Sequence, residues 1–412
     1  MSRFVYTVAL TVALAGCLDA QPLGAEYLCG GDGGCPWGFV CDTRGEVPVC
    51  VTTTEREAGC QFECVVQAQR CVDGDREICR LDADGCPSYR LSRIACEALE
   101  ACSPDGGCAV ELAWSEPMAV DGALNAVWVV GPDSGYLAGD ALYRVEGSTI
   151  GEAFRPSAPL RAVTVVGVTT PTVVAVGDSG VMLRGDGASF VETTESGAGL
   201  RAVAGRDLEN IWVVGDEATV LRCDAFGCEP QLDIPATISL PTLRTVWVDE
   251  DGDVFVAGDT STMWQRNATG WVDWSLQMRP NANDGLRIFA AFGLEESGDV
   301  LFVDGWFEVL RFDGAQVNRQ TIIADVRATP TSVFATHAAN IWVVGGRDPA
   351  GDDVTARPVA YHSSDGSFGR VTPDPASGDL TGIHGTSKLN VWRVGTTGDG
   401  NGTLQRLGPV VD

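Results

Sequence analysis

From residue 112 onward, the chain repeats one alternation of apolar runs and polar turns. The plainest copy runs from Leu200 through Ala202, Val203, Ile211, Trp212, Val213, Val214 and Gly215 to Asp216. A leucine opens a short apolar run, and about a dozen residues later a second run ends in Val-Gly-Asp. Copies open at Leu124, Leu160, Leu200, Leu243, Leu286, Pro330 and Leu380, at intervals of 36, 40, 43, 43, 44 and 50 residues. Intervals near 40 residues are those of propeller blades.

Each unit reads as four short strands. The second strand carries most of the information: Ile211–Val214, Val254–Ala257, Ile341–Val344 and Val391–Val394 show little polar alternation. Both faces of such a strand must be buried. A strand inside a propeller blade is sandwiched between neighbouring blades, whereas a two-sheet sandwich exposes one face and alternates. A Gly-Asp turn leads to a third strand (Val181–Arg184, Val220–Arg222, Val309–Arg311), and a glycine turn leads to a fourth, as at Phe190–Glu192 and Trp271–Trp274. β-Branched and aromatic residues dominate these runs. The prediction is all-β: a seven-bladed β-propeller over 110–412, preceded by small disulfide-rich modules. The last unit runs short, and an orphan strand at Glu111–Glu116 resembles the fourth strands. It should complete the seventh blade and leave no open sheet edge.

Cysteine usage divides the chain. Of 15 cysteines, only Cys223 and Cys228 follow Cys108. Cys29, Cys35, Cys41 and Cys50 mark a tether and four-Cys module over 18–58, loosely similar to small EGF-like modules. Cys60, Cys64, Cys71, Cys79, Cys86, Cys96, Cys102 and Cys108 mark an eight-Cys module over 59–109. Cys-x2-Cys spacing and histidine are both missing there, so the cysteines read as covalent staples for segments too short to build a core, not as a metal site. Their connectivity stays open. The modules read as a spacer or as a recognition element. Cys223 and Cys228 bracket a hairpin turn and should pair across it.

The first 17 residues place one arginine before an apolar run too short to span a bilayer, which reads as an export signal. Leu14-Ala15-Gly16-Cys17 resembles the lipobox of bacterial lipoproteins. That resemblance implies lipidation at Cys17, a membrane partner through the N-terminal lipid, and residence in the bacterial cell envelope, at the outer membrane or cell surface. A formal net charge of −28 argues against a nucleic-acid partner. It also argues against docking on an anionic membrane by charge alone.

The repeats carry charge at fixed places. Arg161, Arg201, Arg244 and Arg287 follow the opening leucines, and Asp140, Asp178, Asp216 and Asp259 end the second strands, with Asp304 nearby in reversed Asp-Gly order. Both sets fall on one face of the ring. They form either a charged ring that selects a ligand or ties that hold the turns. The Val-Gly turns and the phrases around Leu183–Gly187 and Leu310–Gly314 resemble the propellers of the BNR and photosystem II assembly factor group. That group contains scaffolds, adhesins and hydrolases, so the resemblance implies the fold and not the activity. The Ser363–Phe368 turn resembles the Asp-box of sialidases, itself a turn motif remote from catalysis. His337, His362 and His384 occupy different repeat positions and read as scattered surface or turn residues. No nucleophile elbow, P-loop or zinc-protease motif is present, so neither a catalytic set nor a cofactor is assigned. The expected function is a lipid-anchored, non-enzymatic platform binding an unknown protein or glycan ligand. The alternative is a glycosidase-like enzyme or lectin with a site assembled across blades, which would need converging carboxylates at the centre.

Overall fold

The computed structural model describes residues 22–23, 26–27, 39–42 and 49–52, together with much of 64–103 and 108–410. The export signal, the lipobox with Cys17, and Cys29, Cys35, Cys60 and Cys86 lie outside the described residues, as do 364–366 of the Ser363–Phe368 turn. The chain forms two compact units: Met1–Arg93 with Cys102–Cys108, and Ile94–Ala101 with Ala109–Asp412. The segment 94–101 therefore belongs with the propeller. Ala101 is fully buried beside Leu112 and Trp342, and Leu112 N donates to Leu99 O.

The first unit is small and stapled. Gln69–Val72, Asp75–Leu81 and Pro87–Leu91 form a three-stranded antiparallel sheet. Disulfides join Cys64 to Cys79 and Cys71 to Cys102. Nearer the N-terminus, Phe39–Asp42 pairs with Val49–Thr52, which sets Cys41 opposite Cys50.

The second unit is a seven-bladed propeller. Its first strands are Leu124–Gly131, Leu160–Val166, Leu200–Gly205, Leu243–Val248, Ile288–Leu294, Thr329–His337 and Asp379–Ser387, and these open blades 1 to 7. Each adjoins the first strands of both neighbouring blades, and that of blade 7 adjoins that of blade 1, so the ring is closed. Blades 1 to 6 are four-stranded antiparallel sheets in sequence order. Blade 7 takes three strands from the C-terminus, and Cys108–Trp114 completes it, with Trp114 opposite Leu407 and Leu112 opposite Pro409. Side chains lock this closure. The buried Arg393 guanidinium lies 4.0 Å from the centre of the Trp114 ring, and Gln405 Nε2 donates to Ser115 O at 2.9 Å. Trp114 in turn meets Trp342 of blade 6 edge-on at 5.6 Å.

The second strands are largely buried, and Ile211–Gly215 and Val254–Gly258 are buried at every residue. Bulky rings fill the spaces between blades, and Trp264, Trp342 and Trp392 are fully buried. The recurring glycine has a steric cause. A Cβ at Gly139, Gly177, Gly215, Gly258 or Gly345 would stand 1.8, 2.2, 2.2, 2.1 or 2.3 Å from the carbonyl oxygen of Ala123, Pro159, Gly199, Thr242 or Thr329. In blades 1 to 4, the aspartate after that glycine donates its backbone N–H to the same carbonyl, at 2.9–3.0 Å. The Val-Gly-Asp phrase is thus where the second strand touches the entry of the first.

Gly215→Ala should strain this crossing without altering a charge. Chemical denaturation should show a loss of about 1–3 kcal/mol, whereas Gly227→Ala, where a Cβ would meet open space, should change stability little.

Candidate functional site

Every blade has a β-bulge immediately after its opening residue. Register shifts flank Asn125, Arg161, Arg201, Arg244, Phe289, Thr331 and Thr381. A bulge re-aims the side chain of its extra residue. These seven side chains converge at one mouth of a central cavity of about 460 Å³, which all seven first strands line. The aspartate turns return to the same mouth.

The arginines are held rather than loose. Arg161 makes a bidentate pair with Asp178 of its own blade, Nε to Oδ1 at 2.9 Å and Nη2 to Oδ2. Arg201 pairs likewise with Asp216, at 3.0 and 2.6 Å, and its Nη1 reaches back to Asp178 in blade 2 at 3.1 Å. Arg244 pairs with Asp259 at 2.6 and 3.1 Å. The Arg161 hydrogen bond holds the Asp178 carboxyl below its ordinary range against the opposing effect of burial, and the charges of Arg161 and Arg201 add to it. Burial alone would raise Asp216, but the hydrogen bond and charge of Arg201 carry it below its ordinary range. Blades without arginine use the same position differently. Asn125 Nδ2 donates to Leu160 O at 2.7 Å, Thr331 Oγ1 to Leu380 O at 2.9 Å and Thr381 Oγ1 to Leu124 O at 2.8 Å. In each case the bulge side chain grips the opening residue of the next blade. Residues of positive φ cluster in the mouth turns of blades 2 to 4: Ser179, Glu217, Ala218, Thr260 and Ser261.

Several expected members fall elsewhere. Arg287 is not equivalent to the other arginines. Ile288 pairs with Asp304 as Leu243 pairs with Gly258, so blade 5 opens at Ile288 and Phe289 occupies the bulge. Arg287 therefore precedes the bulge, half-exposed, with its Nε 4.0 Å from Asp259. Asp304 takes the register place of the glycine and is fully buried. Its Oδ1 accepts from Trp306 N and Glu308 N, while Oδ2 has no partner, and burial pushes its pKa up to about 6. Asp140 has no arginine in its blade's bulge and accepts from Ala123 N at 3.0 Å.

The histidines are not surface residues. His337 and His362 are buried in blade 6, and His362 Nε2 lies 2.7 Å from Asn340 Oδ1. His384 lines the central cavity, stacks on Trp128 at 4.1 Å and accepts from Val129 N through Nδ1. Burial pushes it down to about 3, so the ring is neutral and Nε2 carries the proton. Among the described residues, no three metal-ligating side chains come together. Cys223 and Cys228 form a disulfide across the outer hairpin of blade 3, far along the strand from the mouth.

The sequence shows Thr331 and Thr381 in place of arginine in the last two units, but the charge pattern does not point to Asn125 or Phe289. Nor does it point to a second layer four residues after each opening residue, where Trp128, Trp247, Phe292, Phe334 and His384 stand. Superposing the repeats on the register of the glycine, not on leucine, exposes both.

No family model matches this sequence, and no curated protein matches it. Solved structures do resemble its fold. A structure of YCF48 bound to a D1 peptide superposes with a TM-score of 0.53 at 14% identity, covering 73% of this chain and 95% of that one. A chain of the mitotic checkpoint complex gives 0.55 at 13% identity, covering 77% and 97%. The WD40 β-propeller domain of Doa1 gives 0.55 at 9% identity, covering 72% and 97%. At such identities the shared property is the propeller.

Asp304 supplies a pH test. Its folded pKa lies above the unfolded one, so the native state binds the proton more tightly and stability should rise as pH falls from about 6 toward 4. Asp304→Asn should stabilise the protein at pH 7.5, by on the order of 2 kcal/mol. The gap to the parent should narrow as pH falls toward 4, as read from denaturation midpoints across that range.

Proposed function

We propose that the propeller is a non-enzymatic binding platform whose recognition surface is the bulge-lined mouth, carried on a lipid anchor at Cys17 in the cell envelope of a bacterium. The stapled modules of the first unit would act as a spacer. The observation that carries the reading is the bulge ring itself. One backbone device is repeated in seven blades, yet its side chains run Asn, Arg, Arg, Arg, Phe, Thr, Thr. Repetition serves the scaffold, and variation at a fixed, rigidly aimed position serves recognition.

Two further features favour binding over hydrolysis. The described lining of the cavity contributes no carboxylate, and the mouth aspartates of blades 2 to 4 are held by guanidiniums. Around the arginine side of the mouth, the connections and turns of blades 3 to 5 expose Leu232, Leu240, Leu276 and Trp306, at 88, 67, 80 and 56%. Of these, Trp306 together with the mouth arginines is of the residue types in which hot spots are enriched. The YCF48 structure, similar in fold, is bound to a D1 peptide, which supports reading a polypeptide as the ligand.

A photoreactive residue placed at Phe289 or Trp306 should cross-link to the partner in envelope preparations. One placed at Phe226, which is 98% exposed on the opposite face, should not. Cross-links from Phe226 alone would reject the mouth as the recognition surface. Metabolic labelling with a palmitate analogue tests the anchor separately: label should be lost in Cys17→Ala, and its retention would reject lipidation there.

A further inference from the structure

The wall of the central cavity changes character at blades 2 and 3. Four residues after the opening residue, blades 4, 5, 6, 7 and 1 place Trp247, Phe292, Phe334, His384 and Trp128. Each ring meets the next, with centroids 4.8, 5.3, 5.7 and 4.1 Å apart. Blades 2 and 3 place Thr164 and Ala204 at that level. The aromatic arc therefore ends at Trp128 on one side and at Trp247 on the other, and the stretch of lining between them, here termed the recess, carries the small residues Thr164, Ala204 and Gly205.

Two observations give this recess a chemistry. Thr164 lines it and is fully buried, and its hydroxyl has no hydrogen-bond partner. An unpaired buried hydroxyl is unfavourable unless something supplies the bond. On the same two strands, three residues nearer the mouth and so about 10 Å away, stand Arg161 and Arg201. A guanidinium has about five N–H donors. Three from Arg161 go to Asp178 and Asn125, and three from Arg201 go to Asp216 and Asp178, so each retains N–H groups. The described lining contains arginine but neither aspartate nor glutamate, in a chain of net charge −28. Among the charged groups, this wall presents donors only. A cavity of about 460 Å³ is of the size that takes a small molecule.

We infer that the recess binds a small planar aromatic carboxylate. Its ring fills the place left by the rings missing from blades 2 and 3. Its edge meets the Thr164 hydroxyl, and its carboxylate points along the strands to Arg161 and Arg201. This rests on the reading of the bulge-lined mouth as a binding surface and names a ligand for the cavity beneath it.

The test uses the full-length protein and indole-3-acetate as the probe, with indole and cyclohexylacetate as comparators, read by saturation-transfer NMR and calorimetry. Indole-3-acetate should bind saturably. Loss of the carboxylate in indole, or of the aromatic ring in cyclohexylacetate, should weaken binding about tenfold or more. Ala204→Phe restores a ring to blade 3 and should abolish binding while the thermal transition is retained. Thr164→Val keeps the shape, removes the hydroxyl and should weaken binding about three- to tenfold. Absence of saturable binding at millimolar probe, or equal affinity in both variants and the parent, would overturn the assignment. Retained cross-linking at Phe289 with no binding of indole-3-acetate would reject this ligand and leave the platform standing. Loss of both would reject the two together.

Discussion

The propeller depends on one close approach. In five blades, the glycine near the end of the second strand lies so close to the carbonyl preceding the opening residue of the first strand that a methyl group could not be inserted. In four of them the next residue, an aspartate, closes the contact with a hydrogen bond from its backbone N–H. That crossing fixes where each first strand begins and places the bulge one residue later. It also puts the aspartate side chain where the bulge side chain of its own blade can reach it, as in Arg161–Asp178, Arg201–Asp216 and Arg244–Asp259. Scaffold and mouth are therefore built by the same contact.

The inter-blade links follow from that arrangement. Charge does this work between blades 2 and 3, where Arg201 bridges two aspartates from adjacent blades, and Thr242 Oγ1 donates to Asp216 between blades 4 and 3. Hydroxyl and amide groups do it in blades 6, 7 and 1, each donating to the opening carbonyl of the next blade. The two chemistries perform one mechanical task, but they leave different surfaces. The arginine side of the mouth presents guanidiniums with donors to spare, and Phe289 borders it.

Blade 5 shows what happens when the phrase is broken. Reversing Gly-Asp to Asp-Gly moves a carboxylate from the mouth turn into the glycine's register, where it is buried and one of its oxygens is unpartnered. It also moves the bulge onto Phe289. The lopsidedness of the mouth thus has two sources: substitution at the bulge in blades 1, 6 and 7, and a register change in blade 5.

The sequence by itself determined the number of blades, the strand order and the ring closure. All three are written in local periodicity: unalternated second strands demand burial on both faces, and a repeat of about 40 residues leaves little other architecture. It also indicated which arginines and aspartates share a face in blades 2 to 4, because a fixed spacing on one strand pair is a local property. Only the tertiary structure decided that Arg287 lies outside the bulge set, that His337 and His362 are buried, and that Thr164 and Ala204 interrupt an aromatic arc spanning five blades. Bulge register depends on which backbone atoms can approach one another. A cavity wall depends on side chains brought together from strands tens of residues apart. Neither is encoded in any single stretch of the chain.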